Sequence, residues 1–244
     1  MADFEGLMKE AQKFCKTYDY NTAEFLYTEA INLNPKSDKA YFERGKIYYL
    51  QFNNFDKAVV DFSKAVKINP KKADYYYSRG EAYFELKMYE KALADYDNAI
   101  KLNPKKDDYY ISRAQTYQKL KQYDAAISDF TAAVRINGTY DTYQERGWAY
   151  IKAGNFQSAL LDFTGNIKRN EAEDCADYNG RAWAFLGLKN YESALKNFDK
   201  AIELDSEDGK YYYGRGKCYE GLGDTENARA DFAAAKKLGY TPND

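Results

Sequence analysis

The stretch ADYYYSRGEAYFELKMYEKALADYDNAIKLNPKK, residues 73–106, carries the pattern that decides the fold. Gly80 is followed three residues on by Tyr83, and Ala92, Tyr96 and Ala99 follow at spacings of four and three before Asn103-Pro104 closes the segment. Spacings of three and four set side chains on one face of a helix, so the first pair marks one helix and the trio a second. Pro104 cannot continue a helix and biases Asn103 out of the α region. The small residue returns along the whole chain as Ala11, Gly45, Gly80, Ala114, Gly147, Ala182 and Gly216, at intervals of 34, 35, 34, 33, 35 and 34 residues. The aromatic three later returns with it (Phe14, Tyr48, Tyr83, Tyr117, Tyr150, Phe185, Tyr219), as does the aromatic of the second helix (Tyr27, Phe62, Tyr96, Phe130, Phe163, Phe198, Phe232). A fixed period in this range predicts an all-α solenoid of helical hairpins, each too small to bury its own apolar face and stacking on its neighbours to do so.

The pattern resembles the tetratricopeptide repeat family over roughly residues 4–242. The resemblance implies a right-handed superhelical solenoid of seven helix-turn-helix units, with the first helix of each lining a concave face. The expected organisation is one array with repeats 4–37, 38–72, 73–106, 107–139, 140–174, 175–208 and 209–242. The resemblance also implies a scaffold that binds peptides or proteins, with no catalysis and no cofactor of its own. In one well-known subset of the family, Lys, Asn and Arg grip the terminal carboxylates of chaperone tails. The matching positions here are Met8, Gln12, Glu43, Asp74 and Ser78; none matches, which disfavours that partner.

One column departs from the family. Arg44, Arg79, Arg113, Arg146, Arg181 and Arg215 precede the small residue, and Asp61, Asp95, Asp129, Asp162, Asn197 and Asp231 precede the second-helix aromatic of the same units. The first unit has neither, carrying Glu10 and Leu26. A partly buried charge left alone is costly, so joint presence and joint absence predict an arginine–carboxylate bridge between the two helices. The rival reading is a row of arginines facing an anionic ligand.

Composition narrows the function. Lys+Arg 36 against Asp+Glu 38 gives a net charge of -2 and no clustered basic face for nucleic acid. No apolar run approaches the roughly 18 residues of a membrane span. The chain contains no His, which removes the commonest general base and metal ligand, and Cys15, Cys175 and Cys218 fit neither a disulfide framework nor a metal spacing. These features predict a cytoplasmic monomer, with self-association as an alternative, and no metal site. Charged residues at two otherwise apolar second-helix columns, Glu24 and Arg229 in one and Lys236 in the other, read as polar ends of the array. Gly165 and Asn166 where Ala is usual, and the unpatterned stretch Asn170 to Cys175, predict looser packing between the fifth and sixth units.

Spacing from the small residue places Phe42, Tyr49, Tyr77, Phe84, Gln115, Gln144, Trp148, Asn179, Trp183, Tyr213 and Lys217 on the first-helix face, as the candidate peptide-binding surface. Trp148 and Trp183 hold the same place in adjacent units. Exposed aromatics among a few polar groups suit an apolar peptide segment, whereas the plainer reading makes these rings core. The alternative functions are a structural assembly protein or the regulatory part of an enzyme complex.

Overall fold

The computed structural model describes residues 3–170 and 173–242, and these form fourteen α-helices and no strand. The helices follow as consecutive pairs: α1 (Phe4–Lys16) and α2 (Tyr20–Leu33), α3 (Asp38–Leu50) and α4 (Phe55–Ile68), α5 (Ala73–Glu85) and α6 (Tyr89–Leu102), α7 (Asp107–Lys119) and α8 (Tyr123–Asn137), α9 (Tyr140–Lys152) and α10 (Phe156–Arg169), α11 (Cys175–Gly187) and α12 (Tyr191–Leu204), α13 (Gly209–Leu222) and α14 (Thr225–Lys237). By contact the chain divides into two compact units, Met1–Leu120 and Lys121–Asp244, so α1–α7 belong to the first and α8–α14 to the second.

Each turn between paired helices contains one residue in the left-handed region: Tyr18, Asn53, Lys87, Lys121, Gly154, Lys189 or Gly223. A second helix then starts on a side-chain cap where Asp or Asn is present, as when Asn54 Oδ1 accepts from the Lys57 N–H at 3.1 Å. Asp19, Asn155, Asn190 and Asp224 act alike.

The core is built by the signature. Tyr27, Phe62, Tyr96, Phe130, Phe163 and Phe198 are fully buried, together with the alanines that flank them along each second helix. The small residue opposite makes room for the ring: a Cβ at Gly45 would stand 2.7 Å from Phe62, closer than any side chain tolerates. Glu24, read from sequence as a polar end, instead turns toward the next hairpin, where its carboxylate accepts from Tyr48 Oη at 2.6 Å. Arg229 and Lys236 are exposed.

The arginines are structural. Arg79 on α5 donates from Nε and Nη2 to the two oxygens of Asp95 on α6, both at 2.7 Å. The same two-pronged contact joins Arg44 to Asp61, Arg146 to Asp162 and Arg215 to Asp231, at 2.7–2.8 Å. The remaining Nη1 reaches back to the second helix of the preceding hairpin, to Thr28 from Arg44 (2.9 Å), Ser63 from Arg79 (3.3 Å), Thr131 from Arg146 (3.4 Å) and Asp199 from Arg215 (2.8 Å). Arg113 makes the backward contact to Asp97. Tyrosines one turn to either side cover the guanidinium; for Arg79 these are Tyr76 and Tyr83, at 5.7 and 5.9 Å. The Asp95 hydrogen bonds raise the Arg79 pKa against the opposing effect of burial. Arg181 has the neutral Asn197 in place of a carboxylate (2.7 Å), and burial lowers its pKa.

Asp95→Ala is expected to strand the Arg79 charge and destabilise the protein by about 2–3 kcal/mol, while Arg79→Leu with Asp95→Leu recovers much of the loss. Urea denaturation of the two single variants and the double variant measures the coupling, and strictly additive losses would refute the bridge.

Candidate functional site

The candidate residues of the first unit lie half-buried on α3, α5 and α7. Phe42 rests 4.6 Å from Tyr75 and 5.7 Å from the core ring Phe62; Tyr77 rests 4.9 Å from Tyr109 and 6.0 Å from Tyr96. Tyr49 meets Phe55 and Phe84 meets Tyr89 where each second helix begins. Phe42 and Tyr77 are both core and surface, with one side on the signature aromatic and the remainder accessible. Gln115 is half-buried on α7. Beside Tyr77, Glu81 accepts from Tyr96 Oη at 2.6 Å, and burial raises its carboxyl pKa although Tyr96 and Ser112 hydrogen bonds oppose the shift.

In the second unit Trp148 meets Phe163 edge-on at 5.5 Å, and Trp183 meets Phe198 edge-on at 5.8 Å. Trp183 then continues to Tyr213 on the following hairpin, at 6.5 Å, and Tyr213 to Phe232 and Tyr240. Trp183, Leu186, Gly187, Lys189, Tyr191, Tyr213, Lys217, Glu220 and Gly221 together line an open depression of about 410 Å³. Lys217 lies at its edge, paired with Glu220 at 2.8 Å and held over Tyr213. Three of the sequence candidates, Trp183, Tyr213 and Lys217, thus meet in one place. Tyr191 and Gly221 complete the depression and were not among the candidates. A Cβ at Gly221 would stand 2.4 Å from the Tyr191 ring, so glycine here lets that ring form the floor. The signal was present in the sequence, since the fifth residue after the signature small residue is glycine only in the sixth and seventh hairpins (Gly187 and Gly221).

Of two further candidates, one is hydrogen-bonded within the protein and the other is enclosed. Gln144 Nε2 donates to Asp177 Oδ1 (3.3 Å) and Tyr140 Oη (3.4 Å), within a buried polar cluster. Asn179 is 3% exposed, and its side-chain oxygen has no partner. Asn166 is fully buried in the same cluster, donating to Asp177 Oδ1 (3.3 Å) and the Tyr140 carbonyl (3.2 Å). The helical faces between the fifth and sixth hairpins are therefore tied by hydrogen bonds where the sequence predicted looseness; Glu171 and Ala172 of the connection lie outside the described residues.

Among the described residues no three His, Cys, Asp or Glu side chains gather to hold a metal ion, and no helix is long and apolar enough to cross a membrane. Burial pushes the Cys218 thiol up to about 12.

Models of the tetratricopeptide repeat match residues 73–106, 107–140 and 179–239, and a further model described as TPR repeat matches 51–87, together more than half of the chain. The chain belongs to the tetratricopeptide repeat family. Among solved structures, a tetratricopeptide repeat protein from Parabacteroides merdae superposes with a TM-score of 0.71 at 24% identity, over 98% of this chain and 94% of that one. YrrB, described as a TPR protein with an unusual peptide-binding site, gives 0.66 at 22% identity over 74% and 92%. MamA gives 0.63 at 24% identity over 65% and 93%. No curated protein matches the chain in sequence. Tetratricopeptide repeats are protein-interaction scaffolds that bind protein or peptide partners, and the helical hairpins described above are of that kind.

Trp183→Ala is expected to cost about 1–2 kcal/mol, less than the roughly 3–5 kcal/mol of Phe198→Ala, because the indole is half-exposed and the phenyl ring is enclosed on every side. Parallel urea melts give the comparison, and equal losses would make Trp183 an ordinary core residue.

Proposed function

We propose that this tetratricopeptide protein binds an extended segment of a partner protein along the faces of its first helices, and that an apolar side chain of that segment seats in the depression formed by Trp183, Leu186, Tyr191, Tyr213 and Lys217. The observation that carries the reading is the convergence of two half-exposed aromatics from successive hairpins over a floor that only glycine at position 221 permits. Aromatic anchors in a recess, rimmed by polar groups, are the usual centres of binding energy at interfaces. The Lys217–Glu220 pair supplies such a rim, with a donor and an acceptor for the peptide backbone. Phe42, Tyr49, Tyr77, Phe84 and Gln115 offer a comparable half-buried face on the first unit, and Trp148 adds to the face of the second. The acidic residues Glu43 and Asp74 stand where carboxylate-binding relatives carry Asn and Lys, so terminal carboxylates are poor ligands for this surface. The scaffold acts by binding alone.

Selection from a random peptide library tests this. Selected peptides are expected to be rich in apolar side chains and to lose at least tenfold in affinity, about 1.4 kcal/mol, on Trp183→Ala or Tyr213→Ala. Phe25→Ala, on an exposed second-helix position, is expected to leave binding unchanged. Selected peptides indifferent to both aromatic substitutions would place the binding surface elsewhere.

A further inference from the structure

A column of tyrosine–carboxylate contacts links successive first helices, and its sense reverses at α9 and α11. Tyr75 Oη on α5 donates to Asp38 on α3 at 3.0 Å, and Tyr109 Oη on α7 donates to Asp74 on α5 at 2.6 Å. In both, the later helix brings the tyrosine. Between α9 and α11 the earlier helix brings it, as Tyr140, and the later helix brings the carboxylate, as Asp177 in the place of Tyr75 and Tyr109. The exchange draws in a second carboxylate. Asp174 caps α11, its Oδ1 accepting from the Ala176 N–H at 2.8 Å, while its Oδ2 lies 2.7 Å from Tyr140 Oη. Tyr140 Oη is thus hydrogen-bonded to Asp174 Oδ2 and to Asp177 Oδ2 together.

The proton count does not close with both carboxylates ionised. Tyr140 has one hydroxyl proton, which serves one carboxylate; the other would set a bare anionic oxygen against the phenol oxygen. Two carboxylates sharing one site cannot both ionise without large cost, and a proton on one of them turns the repulsion into a hydrogen bond. The other partners of Asp177 are neutral, namely Gln144 Nε2 and Asn166 Nδ2, each 3.3 Å from Oδ1. Asp177 is 1% exposed. Of the neighbouring charges, Arg181 feels the Asp177 carboxylate through space but bonds to another group, and the others are engaged elsewhere. Arg169 at the end of α10 lies over the Tyr143 ring at 4.2 Å; Arg181, one turn beyond Asp177, donates to Asn197; Glu173 pairs with Lys200 at 2.9 Å. From α13, the titratable Tyr211 faces the Cys175 thiol.

We propose that Tyr140, Asp174 and Asp177 hold one shared extra proton in the folded protein at neutral pH, and that losing it at higher pH loosens the packing of α9 against α11. Burial raises the Asp177 carboxyl pKa in the same direction, opposed by the hydrogen bonds from Tyr140, Gln144 and Asn166. A carboxyl raised in the folded state lends its full stability below the unfolded value of about 3.9 and loses it as pH rises through the folded value. The device therefore weakens toward alkaline pH, opposite to an ion-paired aspartate.

The test is Asp177→Asn. The amide offers Tyr140 a permanent donor, its oxygen keeps Gln144 and Asn166, and the Tyr140 proton goes to Asp174, so every contact closes without a titrating proton. Unfolding midpoints of wild type and variant across pH 5–9 are expected to show the variant at least as stable at pH 7–8, with the pH dependence reduced by about one proton. A variant that is less stable and keeps the wild-type pH dependence overturns the proposal. Carboxyl carbon chemical shifts in the unaltered protein give a second reading that needs no variant. A protonated Asp174 or Asp177 at pH 7 supports the shared proton, and two fully ionised signals overturn it.

Discussion

Everything else in the structure leans on the guanidinium fork. A helical hairpin of this length has one apolar face and no core of its own, so its stability is borrowed from the hairpins before and after it. Arg79 makes that debt specific: two of its nitrogens fix α5 to α6 through Asp95, and a third reaches Ser63 on α4. Three helices from two hairpins share one planar group. Five donors in a rigid plane suit this task, and a lysine, with a single charged point, could not satisfy both directions. Because the aspartate is almost wholly enclosed, the fork is less a source of attraction than a condition: once either partner is buried, the other must be present.

The fork is also where the array varies. At Arg181 the partner is Asn197, which accepts at Nε but brings no charge, and the arginine is correspondingly harder to keep protonated. The hairpin with this weaker fork is also the one joined to its predecessor through Asp177, Asn166 and Gln144. A polar cluster of α9, α10 and α11 there adds a hydrogen-bonded tie between the two hairpins.

Much of this was legible in the sequence, for a reason that also sets the limit. The signature and the arginine–aspartate columns repeat in register, so seven imperfect copies within one chain expose what a single copy would hide. Features that occur once have no such support. Asn166 read as a poor helix residue because its partner, Asp177, lies in another hairpin and in a column that carries tyrosine at positions 75, 109 and 211. Glu24 read as a polar end because the hydroxyl that it meets, on Tyr48, belongs to the following hairpin. The depression followed the same rule. Its aromatics were predicted from their place in the repeat, but its floor depends on Gly221 admitting Tyr191, a contact between hairpins that spacing within one repeat cannot reveal.

The aromatic face shows why binding and stability are hard to separate in such an array. Trp183 has one side on Phe198 and another on Tyr213, so it closes the core of its own hairpin, spans to the next and presents what remains to a ligand. A partner that covers the exposed part buries apolar area on a ring whose orientation is already fixed, which spares the entropic cost of ordering it on binding. It also bridges two hairpins, adding a contact between elements whose stability depends on such contacts. Occupancy of the depression should therefore stiffen α11 against α13, coupling recognition to the stability of the stack through the same half-buried rings.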